Sequence, residues 1–247
     1  MIGLINFTHS DPLYSAYPDK SLVKRDTPKR ILSSVLNGEL DCGMISLFEY
    51  FENNEKLDLV KSATIHSRRG TMSTLLVTRN VRISGPMRIS VTEHTRTTAV
   101  YLELILKKLG IDYTLIWSKE RDAEPLLQEA EYALVIGDEA LKVYGTNLRI
   151  VWDIGFQFSS LFSMMPVFSV TVSGKSRECS REISALDQAI IDAPSYEEEC
   201  ARDDSGKLNL REDLLRQYFR TIRYDFDNEV LKTINFLSAY YTSAFRK

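Results

Sequence analysis

One short stretch, Glu93-His94-Thr95-Arg96-Thr97-Thr98, collects three hydroxyls and a guanidinium immediately ahead of an apolar run. That combination suits a carboxylate. The N-terminus of a helix presents free N–H groups and positive potential, the hydroxyls add hydrogen bonds, and arginine adds a two-pronged charged donor. The hydroxyls also have a plainer use, since Thr95 or Thr97 acting as N-cap is worth about 1 kcal/mol to a helix; the two roles are compatible. Ser46 ends an apolar run and either meets a ligand or caps the helix that runs through Glu49 and Tyr50. Ser73, within Gly70-Thr71-Met72-Ser73-Thr74, either hydrogen-bonds a ligand or occupies a half-buried strand face. His9 follows the first apolar run, where an imidazole with an ordinary pKa near 6.5 suits proton transfer. A loop histidine is as readily solvated or structural. Arg68-Arg69 attracts anions or is a solvated turn.

These residues gain meaning from the elements that must hold them. Ile2 to Phe7 predicts a short buried strand, and the polar, proline-containing stretch 8–26 a loop. Thr27-Pro28 starts a helix whose apolar face is Ile31, Leu32, Val35 and Leu36, and Gly38 stops it. Asp41 to Ser46 predicts a strand leading into a helix, and Met72 to Thr78 another strand. The segment 79–87, with Gly85-Pro86, reads as a crossing between lobes. Beyond it, strands at 88–92, 113–117 and 132–136 alternate with helices at about 97–109, 120–129 and 138–143, the pattern of an open α/β sheet. Residues 166–172 predict a strand returning to the first lobe. The rest reads as helical, closing with Val230, Ile234, Leu237 and Tyr241 at helix spacing. The expected division is therefore 1–84 plus 165–247 for lobe one and 85–164 for lobe two. In open α/β sheets ligands bind beyond the carboxyl ends of strands. Four segments meet that condition: Thr8 to Leu13, Ser46-Leu47, His94 to Thr98, and Gly137-Asp138.

Composition narrows the functional classes. With 44% hydrophobic and 10% aromatic residues in a chain of 247, a packed interior is expected and disorder is not. The net charge of −3, with both signs interspersed, argues against nucleic acid as a partner. No apolar run reaches the roughly 20 residues of a membrane helix, and the start of the sequence lacks the features of a signal peptide, so a cytoplasmic protein is expected. Cys42, Cys179 and Cys200 are widely spaced, which predicts reduced thiols rather than a zinc site. His9, His66 and His94 form no metal-binding pair.

Read in order, Gly38 to Tyr50, Ser73 to Arg79, Arg96-Thr97-Thr98, Ile136 to Leu141 and Asp153-Ile154-Gly155 resemble segments of the chorismate dehydratase family of the futalosine route to menaquinone. Residues 38–50, Gly-Glu-Leu-Asp-Cys-Gly-Met-Ile-Ser-Leu-Phe-Glu-Tyr, are similar to its G-E-L-D-x-x-x-I-S-x-x-E-Y segment. Ser73 to Arg79 resembles S-V-L-L-x-S-R, Arg96-Thr97-Thr98 resembles R-T-S, Ile136 to Leu141 resembles I-G-D-x-A-L, and Asp153-Ile154-Gly155 resembles D-L-G. The tail at Ile222-Arg223-Tyr224 is similar too. A sister family, which makes 1,4-dihydroxy-6-naphthoate, carries a catalytic histidine in I-I-H-E, where this chain has Val135-Ile136-Gly137-Asp138. Two segments depart from the pattern. His9-Ser10-Asp11-Pro12-Leu13 stands where the family has N-x-x-P-L with a substrate-contacting asparagine, and Phe162 to Phe168 replaces T-G-L-P-F.

The resemblance implies an α/β, two-lobed type II periplasmic-binding-protein-like fold, with mixed sheets flanked by helices and C-terminal helices packed on lobe one. It implies a hydro-lyase that takes water from chorismate to give 3-[(1-carboxyvinyl)oxy]benzoate without a cofactor. On that basis His9 and Ser73 are the expected catalytic residues. Ser46, Thr74, Thr95, Arg96, Thr97, Thr98, Gly137 and Asp138 are the expected substrate-binding set, Thr74 also being the substitute for Ser73 one position on. The expected partner is a small anionic substrate, with no nucleic acid, membrane or metal; oligomeric state is left open. Two alternatives stand beside it: a non-catalytic intracellular binding protein for a small carboxylate, and a related enzyme acting on another cyclic carboxylate, to which the histidine at position 9 points.

Overall fold

The apolar runs assemble into two separate sheets in the computed structural model, which describes residues 1–80, 86–93 and 95–245. Most of the crossing expected at 79–87 lies outside the described residues, as does His94. The chain divides into one unit of residues 1–66, 167–203 and 222–247 and a second of 67–166 and 204–221.

In the first unit, strand β1 (Ile2–Ile5) is followed by helix α1 (Asp11–Ala16), β2 (Val23–Asp26), α2 (Pro28–Leu36), β3 (Cys42–Ser46), α3 (Leu47–Asn53) and β4 (Leu57–Ser67). The expected loop at 8–26 therefore contains a helix and a strand. Pro12 at the start of α1 and the burial of Leu13 and Ala16 explain the helix. The strand was concealed because β2 is an edge strand, half-buried along its length and carrying Lys24, Arg25 and Asp26, with parallel pairing to β1 on one side only. β4 was concealed differently: its buried residues include Ser62, Thr64, His66 and Ser67, which do not read as an apolar run.

The second unit runs β5 (Thr74–Thr78), β6 (Met87–Thr92), α4 (Arg96–Leu109), β7 (Tyr113–Ser118), α5 (Ala123–Glu129), β8 (Tyr132–Ile136), α6 (Gly137–Val143), β9 (Arg149–Asp153) and α7 (Ile154–Phe162). The chain then continues through β10 (Val167–Gly174), α8 (Ser180–Asp192), α9 (Glu197–Leu208), α10 (Glu212–Phe219), β11 (Ile222–Arg223) and α11 (Asn228–Phe245). Both sheets are mixed. The first has the order β11-β4-β10-β3-β1-β2, with β10 antiparallel to β3 and β4. The second has the order β7-β6-β8-β5-β9, with β6 parallel to β7 and β8, and β5 antiparallel to β8 and β9.

Each sheet is covered by helices through apolar side chains. In the first unit α11 packs on α3 and β10, where Phe48 meets Phe51 and Tyr241 edge-on. In the second unit Leu75, Val77, Ala133 and Val135 of the sheet meet Leu126, Leu127, Ala140 and Val143 of α5 and α6. Each such Leu or Val side chain removed from water contributes about 1.5–3 kcal/mol, so the helices are anchored on the sheet by burial. No described helix is long and apolar enough to cross a membrane. The three cysteines are buried and form no disulfide among the described residues, and burial pushes the Cys42 thiol well above its usual range, which keeps it protonated and unreactive.

Candidate functional site

One edge of the second sheet gathers most of the expected substrate-binding residues. Because β6 and β8 are parallel and β5 is antiparallel to β8, the carboxyl ends of β6 and β8 lie beside the amino end of β5, with Thr74 opposite Ile136. β9 ends at the same edge, with Asp153 opposite Leu75. The segments leaving this edge are therefore Thr95 to Thr98, Gly137-Asp138, Ser73-Thr74 and Asp153 to Gly155. The register alone brings together Ser73, Thr74, Thr95, Arg96, Thr97, Thr98, Gly137 and Asp138.

Local geometry favours an anion here. Thr95 sits at the N-cap of α4 without a side-chain cap hydrogen bond, so its hydroxyl does not take up a first-turn N–H. The simple capping role open to Thr95 is thus not the one it plays. Thr97 and Thr98 are buried in the first turn while Arg96 is exposed. The 14-residue length of α4 sustains the positive potential at this end. Gly137 has φ +62°, a left-handed conformation that glycine adopts without a Cβ penalty, and its N–H donates to the Ser73 carbonyl at 2.7 Å.

The turn before β5 is unusual. Ser73 does not lie in the strand expected from Met72 onward: Met72 has φ +57°, and the strand begins only at Thr74. A non-glycine residue in this region costs about 1–3 kcal/mol and persists where the surroundings impose it. Here Asp153 imposes it. Its Oδ2 accepts the N–H groups of Thr71 at 2.8 Å and Met72 at 2.7 Å, and its Oδ1 accepts the Thr71 hydroxyl at 3.1 Å and the Phe156 N–H at 3.0 Å. Thr71 in turn shares a 2.6 Å hydrogen bond with the Thr74 hydroxyl. Gly155 lets the turn come this close, since a Cβ there would lie 2.4 Å from Thr71 Cγ2. Ser73 and Thr74 remain buried, while Phe156, one turn into α7 and beside Gly70, is 53% exposed. The neighbouring Arg68 and Arg69 are exposed on their turn.

The other two expected residues lie at one edge of the first sheet. β1 and β3 are parallel with Ile2 opposite Cys42, which brings the turn after β1 level with Ser46 at the end of β3. Ser46 is the N-cap of α3 in a capping box with Glu49, its N–H donating to Oε2 at 3.3 Å. Burial raises the Glu49 carboxyl above the usual range.

His9 belongs to a one-turn 3-10 helix, Thr8–Ser10, held from three sides. The Tyr224 phenol donates to its carbonyl at 2.8 Å, its ring lies 5.7 Å from that of Phe7, and Arg25 anchors the turn through the carbonyls of Ile5 and Phe7 and an ion pair with Asp11 at 2.5 Å. His9 Nε2 is shut off from solvent with no hydrogen-bond partner among the described residues, as is the Ser10 hydroxyl. Burial, with the Arg25 charge adding to it, pushes the imidazole down to about 3. The expectation of an ordinary histidine pKa suited to proton transfer therefore fails at this position; His9 is neutral at physiological pH. A protonated imidazole here would have its Nε2 shut off from solvent and face a guanidinium.

Sequence reasoning gave no role to Asp153, Tyr224 or Arg25. Asp153 had one local signal, an Asp at a strand end two residues before glycine and at the start of a helix, which is an N-cap pattern. Its reach to Thr71, and that of Tyr224 to His9, join distant parts of the chain and have no local signal. Among the described residues, no group of three His, Cys, Asp or Glu side chains is placed to hold a metal ion.

Comparison with solved structures agrees with this architecture. A protein from Archaeoglobus fulgidus is similar with a TM-score of 0.73 at 14% identity, over 98% of this chain and 96% of that one. The periplasmic aliphatic sulphonate binding protein of Escherichia coli also gives 0.73, at 12% identity over 98% and 86% of the two chains. A Candida albicans gene product with the generic periplasmic binding protein fold gives 0.61, at 14% identity over 97% and 89%. At these identities the likeness establishes the fold, an α/β periplasmic-binding-protein-like fold with helix-flanked mixed sheets. The family is established by sequence, because a model described as menaquinone biosynthesis matches residues 1–243, and the chain belongs to that menaquinone biosynthesis family.

Proposed function

We propose that the protein is a chorismate dehydratase acting in the futalosine route to menaquinone. The observation that carries this reading is the edge of the second sheet, where the N-terminus of α4 with Arg96, Thr97 and Thr98, the Gly137 turn and the buried Ser73 and Thr74 hydroxyls come together. Family membership supports the pathway, and the donor set supports a carboxylate-bearing substrate.

In the reaction, chorismate loses its ring hydroxyl and the proton on the adjacent ether-bearing carbon. The two electrons of the C–H bond form the double bond that completes the aromatic ring, and the hydroxyl leaves with a proton as water. Aromatisation supplies the driving force, so the protein's tasks are to orient the leaving group, fix the carboxylates and exclude water. Arg96, Thr97 and Thr98 hold a carboxylate. Ser46, if its hydroxyl serves beyond capping, holds another. Ser73, with Thr74 beside it, donates to the departing hydroxyl. His9 acts as a neutral hydrogen-bonding group, because an imidazole with a pKa near 3 is too weak a base to retain the proton at neutral pH. Phe156 offers an apolar face for the ring.

A second reading, a receptor that binds a small cyclic carboxylate without converting it, draws support from that same neutral His9. Incubating the purified protein with chorismate and following the aromatic ether by chromatography distinguishes the two. Formation of 3-[(1-carboxyvinyl)oxy]benzoate with no added cofactor is the expected result. Binding with no loss of chorismate establishes the receptor, and neither binding nor conversion points to another cyclic carboxylate.

A further inference from the structure

We infer that Asp153 is a positioning residue for the proposed dehydration, holding the left-handed turn at Met72 so that the Ser73 hydroxyl faces the reacting edge of the sheet. The inference rests on the functional reading above for the role of Ser73, and on geometry for the rest. A single carboxylate accepts four hydrogen bonds: two from the main-chain N–H groups of Thr71 and Met72, one from the Thr71 hydroxyl, and one from the Phe156 N–H at the start of α7. Both of its oxygens are thus committed, and no other described side chain accepts these two turn N–H groups.

The arrangement is over-determined in a way that a helix cap alone does not require. An N-cap needs only the bond to Phe156. The additional bonds meet Thr71 and Met72 itself, the residue of positive φ immediately before Ser73. Gly155 is the complementary device, since any side chain there would strike Thr71 and push the turn away. On the far side of Ser73, its carbonyl receives the Gly137 N–H and the Thr74 hydroxyl is tied back to Thr71. Ser73 is thereby fixed from both flanks, and Asp153 supplies the flank that the strand ladder does not. A carboxylate is suited to this task because it has no donor to clash with the two converging N–H groups.

The test is a double-mutant comparison of Asp153→Ala and Asp153→Asn, each alone and combined with Ser73→Ala, with kcat and KM measured on chorismate. Misplacement of a reacting group by an ångström costs up to about a hundredfold in rate, so Asp153→Ala is expected to lower kcat by roughly tenfold to a hundredfold with KM changed by less than about threefold. In the Ser73→Ala background the same change should have little further effect. Asp153→Asn should recover part of the loss, because its amide oxygen can still take the Thr71 and Met72 N–H groups. Equal loss in both backgrounds would mean that Asp153 acts only on general stability and would overturn the inference. Hydrogen exchange of the 70–74 segment provides a readout independent of substrate: faster exchange in Asp153→Asn or Asp153→Ala than in the parent is expected, and unchanged exchange also overturns it. An inert parent protein would defeat the dehydratase reading alone, leaving the exchange comparison to decide whether Asp153 holds the turn.

Discussion

The phenol of Tyr224 donates a 2.8 Å hydrogen bond to the main-chain carbonyl of His9. It ties the residue after β11 to the turn after β1, two segments 215 positions apart in the chain. Tyr224 is buried, and its own carbonyl accepts the Thr64 N–H at 2.8 Å, so the phenol is presented from a fixed backbone. Tyr224→Phe deletes one hydroxyl and leaves the ring in place. A net loss of about 0.5–1.5 kcal/mol is expected, the usual contribution of one such bond, seen as a lower urea midpoint at unchanged slope. A change in slope would instead indicate that the variant alters how much surface unfolding exposes.

The second prediction concerns pH. The folded-state pKa of His9 is lowered to about 3 from 6.5. Between those values the unfolded chain binds a proton that the folded chain refuses, so this residue makes stability fall as pH drops from about 6.5 toward 3, and contributes no pH dependence above 6.5. Comparing urea unfolding of the parent and His9→Gln from pH 7 to pH 4, the parent should lose more stability than the variant. An imidazole signal from His9 titrating near 6.5 in the folded protein would contradict the assignment of this residue as neutral.

Much of the architecture was readable because it is written in local signals. Thr27-Pro28 and Gly38 bracket α2, and Gly110, left-handed at φ +66°, ends α4 where the apolar periodicity stops. What escaped was structure whose polar residues are satisfied from afar. In β4, Ser62 hydrogen-bonds Asp187, and the Thr64 hydroxyl donates to the Asp225 carbonyl at 2.9 Å, so a buried strand lacks an apolar pattern. The same division runs through the site. Thr95 to Thr98 announce themselves as hydroxyls before a helix, whereas the residue that shapes the Ser73 turn, Asp153, is 82 positions from Thr71. The pKa of His9 was equally invisible, because it depends on burial and on Arg25 across the β1–β2 pair.

Ser46 has two separable roles, which Glu49 distinguishes. Ser46→Ala removes the cap and should cost about 0.5–2 kcal/mol of stability, with any additional loss appearing as weaker binding of the substrate. Glu49→Gln keeps an acceptor for the Ser46 N–H and removes a carboxylate whose pKa is raised by burial. A raised folded-state pKa means that the parent gains stability as pH falls through it and is penalised at neutral pH. Glu49→Gln should therefore match or exceed the parent's stability at pH 7 and leave binding unchanged. Loss of binding in Glu49→Gln comparable to that in Ser46→Ala would assign the effect of Ser46 to the cap.

Phe156 is half-exposed, so truncating it should leave stability within about 0.5 kcal/mol, the usual range for surface substitutions away from special features. Its place beside the Asp153 turn predicts a different effect on ligand. Phe156→Ala should weaken binding of a cyclic dicarboxylate more than that of an open-chain dicarboxylate of similar charge, measured by calorimetry. Equal weakening of both would mean that the ring contributes no contact with the substrate ring.

Phe158 ties the two helix starts of the site to each other. It is fully buried, its ring lies 4.5 Å from that of Tyr101 on α4, and Phe162 stacks on it at 4.9 Å. Through this contact α7, which Asp153 caps, is braced against α4, which carries Arg96 to Thr98. Phe158→Ala opens a cavity at the joint and should cost about 3–5 kcal/mol. Phe162→Ala removes a half-buried ring at the end of α7, where solvent can fill the space, and should cost less. Urea unfolding of both variants checks the order. If Phe162→Ala proved the more damaging, the brace between α4 and α7 would have to run through the end of α7 rather than through the Tyr101 contact.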